Sequence, residues 1–167
     1  MKNFLVVVDM QNDFITGALG TAEAEAIVNK AKKKIENFDG DIFVTYDTHF
    51  ENYMETSEGK NLPVYHCIKG TEGWMLNKDI ETVLQITFGS VDLPKRIKEI
   101  AGDEKFSVEL IGLCTDICVV SNAVILKANF PETEIIVDAS CCAGVSVNTH
   151  KEALDIMKCC QIKVIND

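Results

Sequence analysis

Residues 3–14 read NFLVVVDMQNDF: a short, nearly all-apolar run rich in valine, then a carboxylate, a glutamine and a second carboxylate before the next phenylalanine. A continuous apolar run of this length, closed by polar residues, has the pattern of a strand buried on both faces. Asn3–Val8 is therefore assigned as a strand. Similar segments recur at Asp41–Tyr46, Ser107–Leu113, Glu134–Ala139 and Gln161–Ile165, with Glu81–Ile86 a weaker candidate. Between them, Thr21–Asn37 sets Ala24, Ile27, Val28, Ala31 and Ile35 at helical spacing. Leu93–Ile100, Asp116–Ala128 and Thr149–Cys159 are patterned in the same way. Doubly buried strands separated by helices predict a parallel sheet covered on both sides. With no linker, repeat or low-complexity stretch, residues 1–167 are expected to form one domain.

Composition narrows the function classes. A net charge of −10 argues against nucleic acid or an anionic membrane as partner, since either calls for a basic face. No apolar run approaches the roughly 20 residues of a membrane span, and no secretion signal is evident. The seven cysteines include the adjacent pairs Cys141–Cys142 and Cys159–Cys160 and lack zinc-ribbon spacing, which fits reduced thiols in a cytoplasmic protein. Most are expected to pack as small apolar residues.

Three constellations carry possible chemistry. Asp9 leaves the first strand where open α/β sheets place their ligands, so it is either a partly desolvated base or a turn-forming residue. In ELIGLCTDICVVSNAV (109–124), a strand turns into a helix with Thr115 or Asp116 as candidate N-cap. Cys118 falls in the first helical turn, where the partial positive charge should favour a thiolate and the amides can hold an oxyanion. The alternative is that Cys118, like Cys114, simply packs. Third, Asp47 and His49 begin a long polar segment, Asp47–Met75, that also holds Glu58 and His66. Loops of this length are usually functional, and this donor set suits Zn²⁺, Fe²⁺ or Mn²⁺, although a turn Asp beside a surface His is the plainer reading. A nucleotide-binding or redox domain is disfavoured by the absence of G-x-G-x-x-G after the first strand and of C-x-x-C.

Taken in order, VVVDMQNDF, YDTHFENY, EGKNLPVYHCIKGTEGW, TFGS, GLCTDICV and IVDASCCAG resemble the isochorismatase-like cysteine hydrolases across nearly the whole chain. The D-x-H…E-x-K…P-x-x-H-C-x-x-G-T pattern is closest to the nicotinamidase/pyrazinamidase branch. The resemblance implies a three-layer αβα fold with a six-stranded parallel sheet of Rossmann-like order, its first and fourth strands flanking the topological switch. It implies a small carboxamide substrate, Cys118 as nucleophile, Asp9 as proton partner, and the amides of Cys114 and Cys118 as oxyanion hole. It also implies a cis peptide at Leu113–Cys114, Phe14 against the substrate ring, and a divalent metal, zinc foremost, on Asp47, His49, Glu58 and His66. A homo-oligomer is expected by analogy. One position departs from the pattern: the family's lysine, two residues before the threonine of T-F-G-S, is Gln85, so its fixed charge is missing unless Lys69 or Lys78 replaces it. The same departure leaves room for a weakened or non-catalytic binding homologue.

Overall fold

The computed structural model describes residues 1–81 and 92–167, with the side chain of Glu81 left aside. β1 (Lys2–Val8) runs parallel to β2 (Asp41–Val44) on one side and to β3 (Phe106–Leu113) on the other. β4 (Glu134–Ala143) and β5 (Lys163–Ile165) complete a five-stranded parallel sheet of order β2-β1-β3-β4-β5. The strand period of two divides β1 between two cores. Phe4, Val6 and Val8 pack with α5 (Leu93–Ala101), α6 (Val120–Asn129) and α7 (Val147–Cys159) through Leu93, Ile97, Leu126, Leu154 and Met157. Leu5 and Val7 face α2 (Ala22–Glu36), whose Ala24, Ile27, Val28, Ala31 and Ile35 form its buried stripe. The short helices α1 (Asn12–Ile15) and α4 (Lys78–Glu81) add Phe14, Ile15 and Ile80 to this second core. The expected layering is therefore present.

The strand count differs from the expectation. Five strands, not six, are found among the described residues. The candidate strand Glu81–Ile86 begins on the residue that ends α4, and the rest of it, Gln85 included, lies outside the described residues. β2 stops at Val44, two residues early, because the chain turns out toward the site. β4 runs four residues further than its apolar pattern suggested. The small buried residues Cys141, Cys142 and Ala143 continue the strand after a register shift, pairing Cys142 with Gly112 and Ala143 with Leu113.

Helix ends follow the capping chemistry of the sequence. The Thr21 hydroxyl accepts the Ala24 N–H at 3.0 Å to start α2, with Glu23 and Glu25 in its first turn and Lys33 and Lys34 in its last. α7 opens with a reciprocal Ser146/Thr149 capping box. Among the described residues, no helix is long and apolar enough to cross a membrane.

β1 leads to β2 on one side of the sheet while β3 lies on the other, so their carboxyl ends diverge around a crevice. Gly112 closes the floor of that crevice. It pairs with Val8, has φ +118°, and an added Cβ would lie 2.1 Å from the Val8 carbonyl oxygen. Only glycine fits there. Asp9 follows Val8 directly, and Cys114 follows Leu113 through a cis peptide bond, where the resemblance had put one.

Candidate active site

Asp9 emerges at φ +44° with its carboxyl group buried in the crevice. The Thr45 hydroxyl donates to its Oδ1 at 2.6 Å, while the Asp9 N–H donates back to Thr45 Oγ1 at 3.3 Å. The Cys118 thiol is its other side-chain partner. Burial pushes the carboxyl up to about 6, aided by the Asp47 charge and opposed by the hydrogen bonds from Thr45 and Cys118. Such a group is ionised at neutral pH yet still a useful base.

Cys118 sits on a π-turn, Thr115–Val119, that opens into α6. The capping expectation changes here. Cys114, not Thr115 or Asp116, takes the N-cap position, and it makes no side-chain cap bond. Thr115 is wholly buried and meets His150, and both carboxylate oxygens of Asp116 accept the Val145 N–H at 3.2 Å. The thiol also departs from the expected direction. Burial first, and the neighbouring Asp9 charge second, hold it well above the usual thiol range and outweigh the pull of the turn's positive end. The resting pair is thus a thiol beside a carboxylate. The largest influences on both groups include no cation. Of the possible substitutes, Lys69 holds its ammonium 5.9 Å from the Phe50 ring centre, and Lys78 borders a surface hollow with Asn12, Thr16 and Gly17.

The polar segment after β2 contains a 3₁₀ turn, Tyr53–Glu55, and α3 (Ser57–Asn61). It returns so that His49 bridges Ile68. Asp47, His49 and His66 converge, each offering one ligand atom within 4.8 Å of the others. Asp47 Oδ2 lies 3.0 Å from His49 Nε2 and 3.3 Å from His66 Nε2. Glu58 stands at the rim, 56% exposed, with Oε1 3.7 and 3.9 Å from the same two nitrogens. His66 Nδ1 lies 2.8 Å from the Val64 carbonyl, a bond that leaves Nε2 as the free ligand atom. Burial alone would lower the His66 pKa, but the Asp47 carboxylate, the Val64 carbonyl and Glu58 raise it on balance. A field that favours positive charge, with two oriented imidazoles and a carboxylate, fits a divalent ion of the zinc type.

Two residues of the first motif, to which the sequence attached no role, hold this segment in place. Gln11, fully buried, accepts the Asp47 N–H at 2.8 Å and donates to the Asp47 carbonyl at 2.9 Å and the Trp74 carbonyl at 2.8 Å. Asp13 Oδ2 accepts the Cys67 N–H at 2.8 Å, which fixes the residue beside His66. Thr45 was missed as well. The signal available was position alone: all three lie within four residues of Asp9 or Asp47.

Between the two clusters is a cavity of about 590 Å³, a common size for a small-molecule site. Phe14, Leu19, Leu62, His66, Cys118 and Val145 are among the residues lining it. The Phe14 ring centre is 5.7 Å from that of His66. Of the sequence-derived candidates, Phe14, Asp47, Glu58, His66, Cys114 and Cys118 line this cavity, while Asp9 lines an adjoining hollow shared with Asp47 and Cys118. All seven cysteines are free.

The model of the isochorismatase domain family matches residues 3–166. An uncharacterized isochorismatase family protein, PncA, of Bacillus subtilis is 32% identical over 74% of this chain and 78% of its own length. The nicotinamidase/pyrazinamidase of Mycobacterium tuberculosis is 25% identical over 96% of this chain and 97% of its own. Among solved structures, the pyrazinamidase of Pyrococcus horikoshii in complex with zinc superposes over 100% of both chains, with TM-score 0.83 and 26% identity.

Proposed function

The chain belongs to the isochorismatase family, and we propose that within it the chain is a cysteine-dependent hydrolase of a small carboxamide of the nicotinamide type. One observation carries this reading: a buried carboxylate and a thiol are neighbours at the sheet's switch point, and the thiol lines a cavity that is also lined by Asp47, Glu58 and His66 of the metal-ligand type cluster. Likeness to the mycobacterial nicotinamidase/pyrazinamidase supports it.

In this mechanism Asp9 accepts the Cys118 proton, and Sγ attacks the amide carbonyl carbon. Negative charge moves to the carbonyl oxygen, which the backbone amides of Cys114 and Cys118 receive. Asp9 then returns the proton to the amine as the C–N bond breaks, releasing ammonia and leaving an acyl-thioester. Asp9 next takes a proton from water, the hydroxide adds to the thioester, and the acid leaves as Cys118 regains its proton. Thr45 holds Asp9 in register throughout. Phe14 faces the substrate ring. A divalent ion held by Asp47, His49 and His66, with Glu58 at the rim, would supply a Lewis-acid contact for a ring nitrogen.

Gln85 favours a second reading, a homologue on the same fold that binds its ligand and turns it over weakly or not at all. A neutral amide in place of a fixed cation leaves the thiolate less stabilised. The two readings separate when ammonia release from nicotinamide is followed for the parent, Cys118→Ala and Gln85→Lys. Turnover by the parent that vanishes in Cys118→Ala supports the first reading. A silent parent with a Gln85→Lys variant at least about a hundredfold more active supports the second. Turnover that survives Cys118→Ala would sink the mechanism.

A further inference from the structure

The third histidine of the chain lies outside the metal-type cluster and outside the proton pair. His150 occupies the first turn of α7, and its Nδ1 is 2.8 Å from the Thr115 hydroxyl. Thr115 has no exposed surface and is the first residue of the π-turn that carries Cys118. That turn has no cap of its own, since Cys114 at the N-cap position offers no side-chain bond. The turn is instead held from outside, by His150 on Thr115 and by the Val145 N–H on Asp116.

Several features place the imidazole there with little freedom. The Ser146/Thr149 capping box sets the start of α7, and the His150 N–H donates to the Ser146 carbonyl at 3.0 Å. Gly144 gives the helix room: a Cβ at that position would meet the His150 N, Cα and Cβ at 3.0 Å each. Partial burial lowers the His150 pKa, only partly offset by Asp116, so the ring is neutral at physiological pH. A neutral ring carries one N–H; in the tautomer that leaves Nδ1 unprotonated, the Thr115 hydroxyl donates the hydrogen bond to it.

We propose that His150 is a positioning residue for the nucleophile, acting through the Thr115 hydroxyl to fix the π-turn that presents Cys118 to Asp9. The proposal rests on Cys118 being the nucleophile. It assigns His150 no contact with substrate and no proton in the reaction. A misplaced thiol loses alignment with the carbonyl it attacks, so the effect falls on kcat rather than on substrate binding.

The test compares His150→Ala, His150→Asn, Thr115→Val and the double variant His150→Ala/Thr115→Val in full-length protein. In carboxamide hydrolysis, His150→Ala is expected to lower kcat about tenfold with KM within about twofold. Asn, whose amide oxygen replaces the Nδ1 acceptor, should recover most of the loss. The double variant should be no worse than either single one, because both remove the same bond. Additive losses, or a folded His150→Ala variant with unchanged kcat, would overturn the proposal.

If the parent hydrolyses no carboxamide, the functional reading fails, and positioning is read from site-resolved alkylation by iodoacetamide. Labelling of Cys118 should then slow about threefold or more in His150→Ala and recover in His150→Asn, with the exposed Cys159 and Cys160 as internal standards. Unchanged or faster Cys118 labelling overturns positioning, independently of the substrate.

Discussion

Asp9 stands at the end of β1 and Cys118 on the turn that follows β3, and Asp9 is almost sealed from water. Asp47, His49 and His66, by contrast, hang on an excursion from the sheet, with the Asp47 and His49 side chains 22% and 12% exposed and only His66 buried, at 2%. In the first cluster, burial dominates: it raises the carboxyl and, further, the thiol, and so leaves the proton on sulfur. In the second, the charges of Asp47 and Glu58 raise His66 against the effect of burial. The sheet thus sets a protonation state, and the excursion sets an appetite for positive charge. Such clusters should fail separately.

The hardest test of that separation is Cys118→Ala. It should remove at least about ten-thousandfold of any hydrolytic activity while leaving zinc affinity, measured by competition with a chromophoric chelator, unchanged. Loss of both would mean that the clusters are one unit.

Asp9→Asn sharpens the comparison from the other side. Activity should fall about a thousandfold, yet the protein should become more stable above neutral pH. The sign follows from the pKa. The folded state holds the Asp9 proton up to about pH 6, whereas the ordinary value is 3.8. The parent therefore loses stability from this group as pH rises from about 4 to about 6, by about 3 kcal/mol at most. Asparagine abolishes that loss, so the urea midpoints of the two proteins should diverge with rising pH. Coinciding curves at pH 5 and pH 8 would contradict the raised carboxyl. In the parent, kcat/KM should rise with pH on an acid limb near 6.

A smaller effect is expected of Gln11→Ala, which leaves every ligand in place and removes the clamp on the Asp47 backbone. Zinc affinity should drop about 10–100-fold, with Cys118 alkylation little changed. An unaltered affinity would show that the excursion holds its own shape.

Much of the fold was open to reading because β1 holds the unbroken apolar run Phe4–Val8, β3 is mostly apolar from Val108 on, and α2 carries a clean helical stripe. The end of β4 was not, since Cys141, Cys142 and Ala143 give little strand signal and are kept there by pairing with Gly112 and Leu113. The site divides in the same way. Asp9, Cys118, Asp47, His49 and His66 declare themselves by residue type at strand ends and helix starts. The work of Gln11, Asp13 and Thr45 does not show, because they act on segments 36 to 63 residues away. The capping expectation at Thr115 and Asp116 failed for a related reason. Both side chains had tertiary partners, His150 and Val145, that outcompeted the local amides.

Gly112 has a consequence beyond its own backbone. Neighbouring strands lie about 4.8 Å apart, and both Asp9 and the turn that carries Cys118 set out from that spacing at the carboxyl ends of β1 and β3. Side chains can adjust to a neighbour, but two hydrogen-bonded backbones cannot drift apart by a methyl group without unzipping. The reach of the proton from sulfur to carboxylate is thus gauged by a single hydrogen atom, in a residue that never meets the substrate. A change as small as alanine there would disarm the pair while leaving every reacting group chemically intact.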